Sequence, residues 1–228
     1  MRVGVLALQG AFAAHAGVLR TLGHEAVEVR ACADLRACEA LVLPGGESTA
    51  QLRLIEREPG LADALDAFVR SGAPALATCA GLILAAREVR DPEQRSFGWI
   101  DVSVRRNGWG RQVHSRETIA DDGITPVVLI RAPRITRVGE GVSVEATLEG
   151  EPIAVRAANV WGATFHPELA GGALHARVLG GGSTRVLRAV RAAADDRRGA
   201  AEAAGTEGRQ LEATDHELRG VAGGGARA

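Results

Sequence analysis

The stretch PALATCAGLIL, Pro74 to Leu84, carries a cysteine where a thiol can be put to work. Cys79 follows a short apolar run that reads as a strand and precedes one that reads as a helix. Ala77, Cys79 and Gly81 have the small-x-nucleophile-x-Gly spacing of a sharp strand-to-helix elbow, which needs small neighbours around a strained residue. Such an elbow puts the sulfur at the positive end of the following helix, which favours thiolate. It also leaves the N–H of Ala80 free to meet a developing oxyanion. A buried structural cysteine is the competing explanation, and the turn by itself leaves the two about even.

A thiol nucleophile needs a base, and the base needs an acceptor to orient it. TFHPEL supplies His166 and Glu168. Two residues apart in an extended segment point to one side, which lets Glu168 fix the tautomer of His166. Taken alone, HPE equally suits a surface loop. The other histidines, His15, His24, His114, His175 and His216, have no carboxylate at such spacing. In LVLPGGEST the glycines open backbone N–H groups after a strand, making Gly46 a second oxyanion donor and Glu47 and Ser48 contacts for a polar substrate. The same segment suits an ordinary turn with a Ser48 or Thr49 helix cap. It is not a GxGxxG fingerprint, so dinucleotide binding is not supported. Arg106 and Arg131 can each pair with a substrate carboxylate, or lie solvated at strand ends.

The elements that must position these residues follow from periodicity. Strands are expected in RVGVLAL, EAVEV, ALVL and APALAT, and helices in AFAAHAGVLRTLG, from about Ser48, in GLADALDAFVRSG and in GLILAAREV. Alternating strands and helices predict a mostly parallel sheet covered on both faces. After Asp91, WIDVSVRR, PVVLIRA, VSVEATL, EPIAVRA and VWGATF read as strand pairs that extend this sheet. A last helix is expected over 173–194. Residues 195–228, rich in Gly, Ala and charge and poor in large apolar side chains, are expected to be a disordered tail after one domain over 1–194.

Composition narrows the function classes. The 228 residues are 46% hydrophobic with a net charge of -1, so no nucleic-acid or membrane partner is indicated. No apolar run is long enough to span a bilayer, and the N-terminus reads as a first strand, so a soluble cytoplasmic protein is expected. Cys32, Cys38 and Cys79 form neither a disulfide framework nor a zinc motif. All 27 basic side chains are arginine, which excludes a lysine Schiff base and a P-loop lysine in this chain.

LALQGAF, PGGEST, TCAGLIL, RNGWGRQ, IRAPRI and FHPEL occur in this order from Met1 to the mid-170s. Together they resemble the glutaminase subunit of pyridoxal 5'-phosphate synthase, a class I glutamine amidotransferase. The resemblance implies a three-layer, flavodoxin-like α/β fold with added antiparallel strands, and no cofactor or metal. It implies hydrolysis of L-glutamine to glutamate and ammonia, with Cys79 as nucleophile and His166 and Glu168 as base and orienter. Gly46, Glu47, Ser48, Arg106, Ile130 and Arg131 match glutamine contacts, and Gln9 and Gly10 match a loop near the partner and the oxyanion hole. That partner is the synthase subunit, with twelve of each in the assembly. Ala77 stands where the family commonly has glycine, Ala14 where it has an acidic residue, and Arg116 where it has an aromatic. A glutaminase subunit of another amidotransferase and a non-catalytic α/β binding module are the alternatives.

Overall fold

Residues 1–109 and 116–180 are described by a computed structural model. The 195–228 tail, the 173–194 helix beyond residue 180 and part of RNGWGRQ lie outside the described residues. In chain order the elements are β1 (Arg2–Leu6), α1 (Phe12–Thr21), β2 (Glu25–Val29), β3 (Ala40–Leu43), α2 (Ser48–Arg57), α3 (Leu61–Arg70) and β4 (Ala75–Thr78). There follow α4 (Ala80–Ala85), β5 (Ala86–Arg90), β6 (Ile100–Arg105), β7 (Arg116–Ile119), β8 (Pro126–Leu129) and β9 (Arg134–Val138). The described part ends with β10 (Ser143–Leu148), β11 (Glu151–Ala157), β12 (Val160–Ala163) and α5 (Ala173–Leu179).

The main sheet has the order β10-β11-β12-β4-β3-β1-β2. From β12 to β2 every pairing is parallel, while β10 and β11 add an antiparallel hairpin at one edge. The central strands are apolar on both faces because both are covered. Leu41 and Leu43 of β3 join Ile55 of α2 and Leu65 of α3 in one core. Val42, on the opposite face, joins Leu19 of α1 and Leu179 of α5. This is the expected three-layer α/β architecture.

Two expectations change. GLILAAREV is not one helix: α4 stops at Ala85 and Ala86 begins β5, which pairs in parallel with β6. A register shift between Ala86 and Glu88 hides the strand period in the sequence, and pairing with β6 overrides the helix preference of Ala and Leu. The later strands also do not all extend the main sheet. β5, β6 and β9 form a separate three-stranded sheet, and β7 and β8 a two-stranded ribbon.

Parallel strands end on one side, where open α/β sheets bind ligands. The segments after β1, β3, β4 and β12 carry Gln9, Gly46–Ser48, Cys79 and His166. Gly81 lets α4 lie against β3, since a β-carbon there would overlap the Leu43 carbonyl. Gly81→Ala should therefore cost about 1–3 kcal/mol. Gly17→Ala, in mid-α1 with open space around it, should gain about 1 kcal/mol. Urea midpoints of the two variants check both signs.

Candidate active site

Cys79 is at once the last rung of a strand and the first residue of a helix. Its N–H donates to Ala163 O at 2.8 Å, as a strand residue's would, while its carbonyl accepts from Ile83 N at 3.2 Å, opening α4. Joining the two geometries forces φ to 48° and ψ to -104°, a strain of about 1–3 kcal/mol for a side-chain-bearing residue. Ala77 does not carry that strain. It is fully buried in β4, opposite Leu43 and Gly162, and its methyl belongs to the core. Of the other unusual positions, Ala14 is half-buried on α1, and exposed Arg116 pairs with Glu149 at 2.6 Å.

His166 is pinned by its N–H, which donates to Val128 O at 2.9 Å. The HPE segment is not extended as expected: Pro167–Leu169 is a single 3-10 turn with proline at its start. Proline's fixed φ suits the first helical position. The turn carries Glu168 back to the imidazole, where Oε1 lies 2.7 Å from Nδ1. The Glu168 side chain is completely buried and that of His166 is 9% exposed, so little water screens the pair. Burial pushes the His166 pKa down, but hydrogen bonds and charge from Cys79 and Glu168 outweigh it and hold the pKa up at about 10. The ring also needs Gly45, where a β-carbon would lie 2.9 Å from Nδ1.

In front of Cys79 and His166 is a cleft of about 250 Å³. Gln9, Gly46, Glu47, Ser48, Arg106, Ile130 and Arg131, all expected site residues, line it with Cys79 and His166. Glu168 lies behind His166, and Ala80 opens α4 beside the nucleophile. The Cys79 thiol sits 3.9 Å from the Ile130 carbonyl. Arg131 and Asn107 have φ of 46° and 52°, so three of the six strained non-glycine residues described line this one cleft.

One expected role shifts. Glu47, rather than Ser48 or Thr49, caps α2: its carboxylate accepts from Thr49 N at 3.1 Å and Ala50 N at 2.7 Å. It also takes Arg106 Nη2 at 3.0 Å. Burial opposes ionisation of Glu47, but those two N–H groups and Arg106 hold its pKa below the usual value. The Ser48 hydroxyl donates to Gln94 Oε1 at 2.9 Å. Gln9 is part of the cleft wall, and Gly10 packs beside it against Gly45. Gln9 Oε1 accepts from Glu47 N at 2.8 Å, and buried Gln51 donates to Gln9 O at 3.0 Å and Pro44 O at 3.2 Å. Gly10, at φ 98°, has no room for a β-carbon against the Gly45 carbonyl, which accepts from Ala11 N at 2.9 Å. A trans peptide is planar, so this bond turns the Gly46 N–H to the opposite side.

Sequence spacing missed Gln94, Asn107 and two histidines. His15 Nε2 approaches Glu168 Oε2 at 3.3 Å, and His175 lies against His15. Glu168 is over 150 positions from His15 in the chain, so no local pattern shows the contact. Among the described residues, no group of three or more His, Cys, Asp or Glu could hold a metal ion, and no helix is long and apolar enough to cross a membrane.

An elbow cysteine and a carboxylate-held histidine thus line one cleft at the carboxyl ends of a parallel sheet, as in a class of α/β proteins that work through a thiol. Residues 5–178 match the SNO glutamine amidotransferase family, and the chain belongs to it. It is 47% identical over 175 residues to "Pyridoxal 5'-phosphate synthase subunit PdxT" of Desulfitobacterium hafniense (strain Y51), covering 75% of this chain and 87% of the relative. It is 45% identical over 178 residues to the protein of the same name from Tropheryma whipplei (strain TW08/27), covering 76% of this chain and 94% of the relative. A crystal structure of a glutamine amidotransferase, 44% identical, superposes with a TM-score of 0.68 over 73% of this chain and 90% of its own. PurLQS from Thermotoga maritima, at 18% identity and a TM-score of 0.52 over 83% of this chain and 96% of its own, shares the fold.

Buried neutral imidazoles make the fold sensitive to acid. Burial drives the His175 pKa down to about 4 from an ordinary 6.5. Burial, then the charges of His175 and His166, lower that of His15. Between pH 6.5 and about 4 unfolding takes up protons at these two rings, so stability falls as pH drops through that window. The melting temperature should follow that course, and His175→Gln should flatten it without removing the part due to His15.

Proposed function

We propose that this chain hydrolyses the side-chain amide of L-glutamine and passes the ammonia to the synthase subunit of pyridoxal 5'-phosphate synthase, for vitamin B6 biosynthesis. The observation that carries this reading is a strained cysteine on the wall of a polar cleft, beside an imidazole held at 2.7 Å by a buried carboxylate. A His166 pKa of about 10 favours imidazolium beside the Cys79 sulfur at neutral pH. The Cys79 thiolate attacks the amide carbon of glutamine. The negative oxygen of the tetrahedral adduct meets the N–H groups of Gly46 and Ala80. The first is aimed by the Ala11–Gly45 bond, and the second has no partner within α4. His166 gives its proton to the departing ammonia, and a γ-glutamyl thioester remains. Water, losing a proton to His166, adds to the thioester; glutamate leaves and the thiolate returns.

Glu47, Ser48, Arg106, Ile130 and Arg131 are the proposed contacts for the glutamine head group. Arg106 reaches Glu47 through one nitrogen, which leaves further donors of its fork for a carboxylate. The chain has no lysine, so carbonyl chemistry that needs one falls to the partner. The relatives' shared name supports that partner, and an assembly of twelve of each subunit in the cytoplasm completes the proposal.

Ammonia release from glutamine, measured with and without a synthase subunit, tests the reading. Release should rise on adding the partner. Cys79→Ala should abolish it while leaving the melting temperature near wild type, since both residues have a β-carbon at the same φ. Gly10→Ala, which pushes on the Gly45 carbonyl, should lower turnover on the order of a hundredfold, the scale of a lost oxyanion donor. Release by Cys79→Ala at the wild-type rate would sink the proposal. Light-scattering mass of the mixed subunits reads the stoichiometry.

A further inference from the structure

Behind Glu168 lies a second pair of imidazoles. His15 of α1 and His175 of α5 are completely buried, with His15 Nδ1 2.7 Å from His175 Nε2. The other edge of His15 faces the triad: its Nε2 is 3.3 Å from Glu168 Oε2 and 3.2 Å from Thr78 Oγ1. One ring thus touches both the carboxylate that holds His166 and the residue that precedes Cys79. The titratable groups around it are His175 from α5, Glu168 from the 3-10 turn and, at longer range, His166.

The proton positions follow from these contacts. A bare Nε2 lone pair on His15 would face the buried Glu168 carboxylate, which is repulsive. A proton on Nε2 gives a donor to Glu168 Oε2, which lies 3.3 Å away and has no hydrogen-bond partner among the described residues. With Nε2 protonated and the ring neutral, His15 Nδ1 must accept, so His175 Nε2 must donate. His175 Nδ1 is then a bare acceptor, and it has no hydrogen-bond partner among the described residues. The opposite assignment would leave a buried N–H there, and orphaned N–H groups are rarer than under-used acceptors.

We infer that His15 is a positioning residue for the triad: it donates Nε2–H to the free oxygen of Glu168, and His175 fixes that tautomer by donating to His15 Nδ1. Both Glu168 oxygens are then committed, one to the base and one to His15. The carboxylate is then aimed from both sides, and with it the imidazole that faces Cys79. Thr78 shares the Nε2–H, which ties the elbow to the base. The inference rests on the glutaminase reading for its effect on turnover, but not for its effect on the thiol.

The test uses the full chain with its synthase partner, and compares His15→Gln with His15→Asn. The Gln amide nitrogen can stand where Nε2 stood, whereas that of Asn stands nearer Nδ1 and cannot reach Glu168. The Asn variant should lose kcat on the order of tenfold or more, the scale of a hydrogen bond to a charged group, with KM for glutamine unchanged. The Gln variant should recover most of that loss. Iodoacetamide labelling of Cys79 against pH, followed on its own peptide by mass spectrometry, reads the thiol without turnover. Its midpoint should rise by about one pH unit in His15→Asn and return toward wild type in His15→Gln. His175→Leu should move the midpoint the same way as His15→Asn. Should these variants unfold, histidine ¹⁵N shifts of the wild-type chain read the tautomers directly, and a protonated His15 Nδ1 overturns the inference. So do equal labelling profiles for Asn, Gln and wild type. An idle wild-type complex would instead overturn the glutaminase reading, and the labelling profiles would still decide the role of His15.

Discussion

Much of this structure follows from holding one side-chain-bearing residue at φ 48°. A cysteine at the end of a straight strand points into a sheet face, and one inside a helix has its N–H tied up. Cys79 escapes both only by taking a conformation that the chain would otherwise leave, at about 1–3 kcal/mol. It stays there because its neighbours are over-determined. Its N–H is bonded to β12, its carbonyl to the first turn of α4, and Gly81 presses that helix against β3. Gly45 completes the arrangement from the next loop, leaving the space in which the imidazole of His166 sits. Glycines at 45 and 81 thus serve close approach, while the strain stays on the residue with the chemistry.

The second constraint is electrostatic. A carboxylate with no exposed surface is stable only if its oxygens have donors, because burial of an unpaired charge costs several kcal/mol. Glu168 has His166 on one oxygen and His15 alongside the other. Placing neutral histidines behind it, rather than an arginine, supplies polarity without a second full charge. An arginine there would neutralise Glu168 and weaken its hold on the imidazolium. The chain has 27 arginines, and among the described residues none pairs with Glu168. In the cleft, Arg106 and Arg131 both line the wall, and Arg106 meets Glu47 there.

Local pattern carried the sequence far because the site sits on loops that follow strands with clear periodicity. The parallel core, the elbow at Cys79 and the loop at Gly46–Ser48 are all short-range features. His166 and Glu168 were legible as a pair, although the turn that joins them was not, since proline suits both an extended segment and the start of a 3-10 turn. Tertiary pairing hid β5, whose residues favour a helix until β6 lies beside them. Glu47 as a helix cap was hidden by the better-known capping residues that follow it. His15 and His175 were set aside for want of a nearby carboxylate, and only the packing of α1 and α5 on the same sheet face brings them to one.

The Gln9–Gly10 segment shows how a contact remote from the thiol can still govern it. Gln51, with no exposed surface, ties Gln9 to Pro44, and Gln9 in turn accepts the N–H of Glu47. The Gly45–Gly46 peptide lies inside this ring of bonds, held by Ala11 at its carbonyl. A force on the loop after β1 is therefore transmitted to the peptide whose N–H is the proposed oxyanion donor, with no intervening flexible side chain. The loop after β1 is also partly exposed at Gly10. On the function proposed above, a surface residue coupled by backbone bonds to the donor gives a docking subunit a route to turnover that touches neither cysteine nor histidine. The group of Cys79, His166 and Glu168, after β4 and β12, and the Gly10–Gly46 contacts, after β1 and β3, are thus built at different strand ends of one sheet.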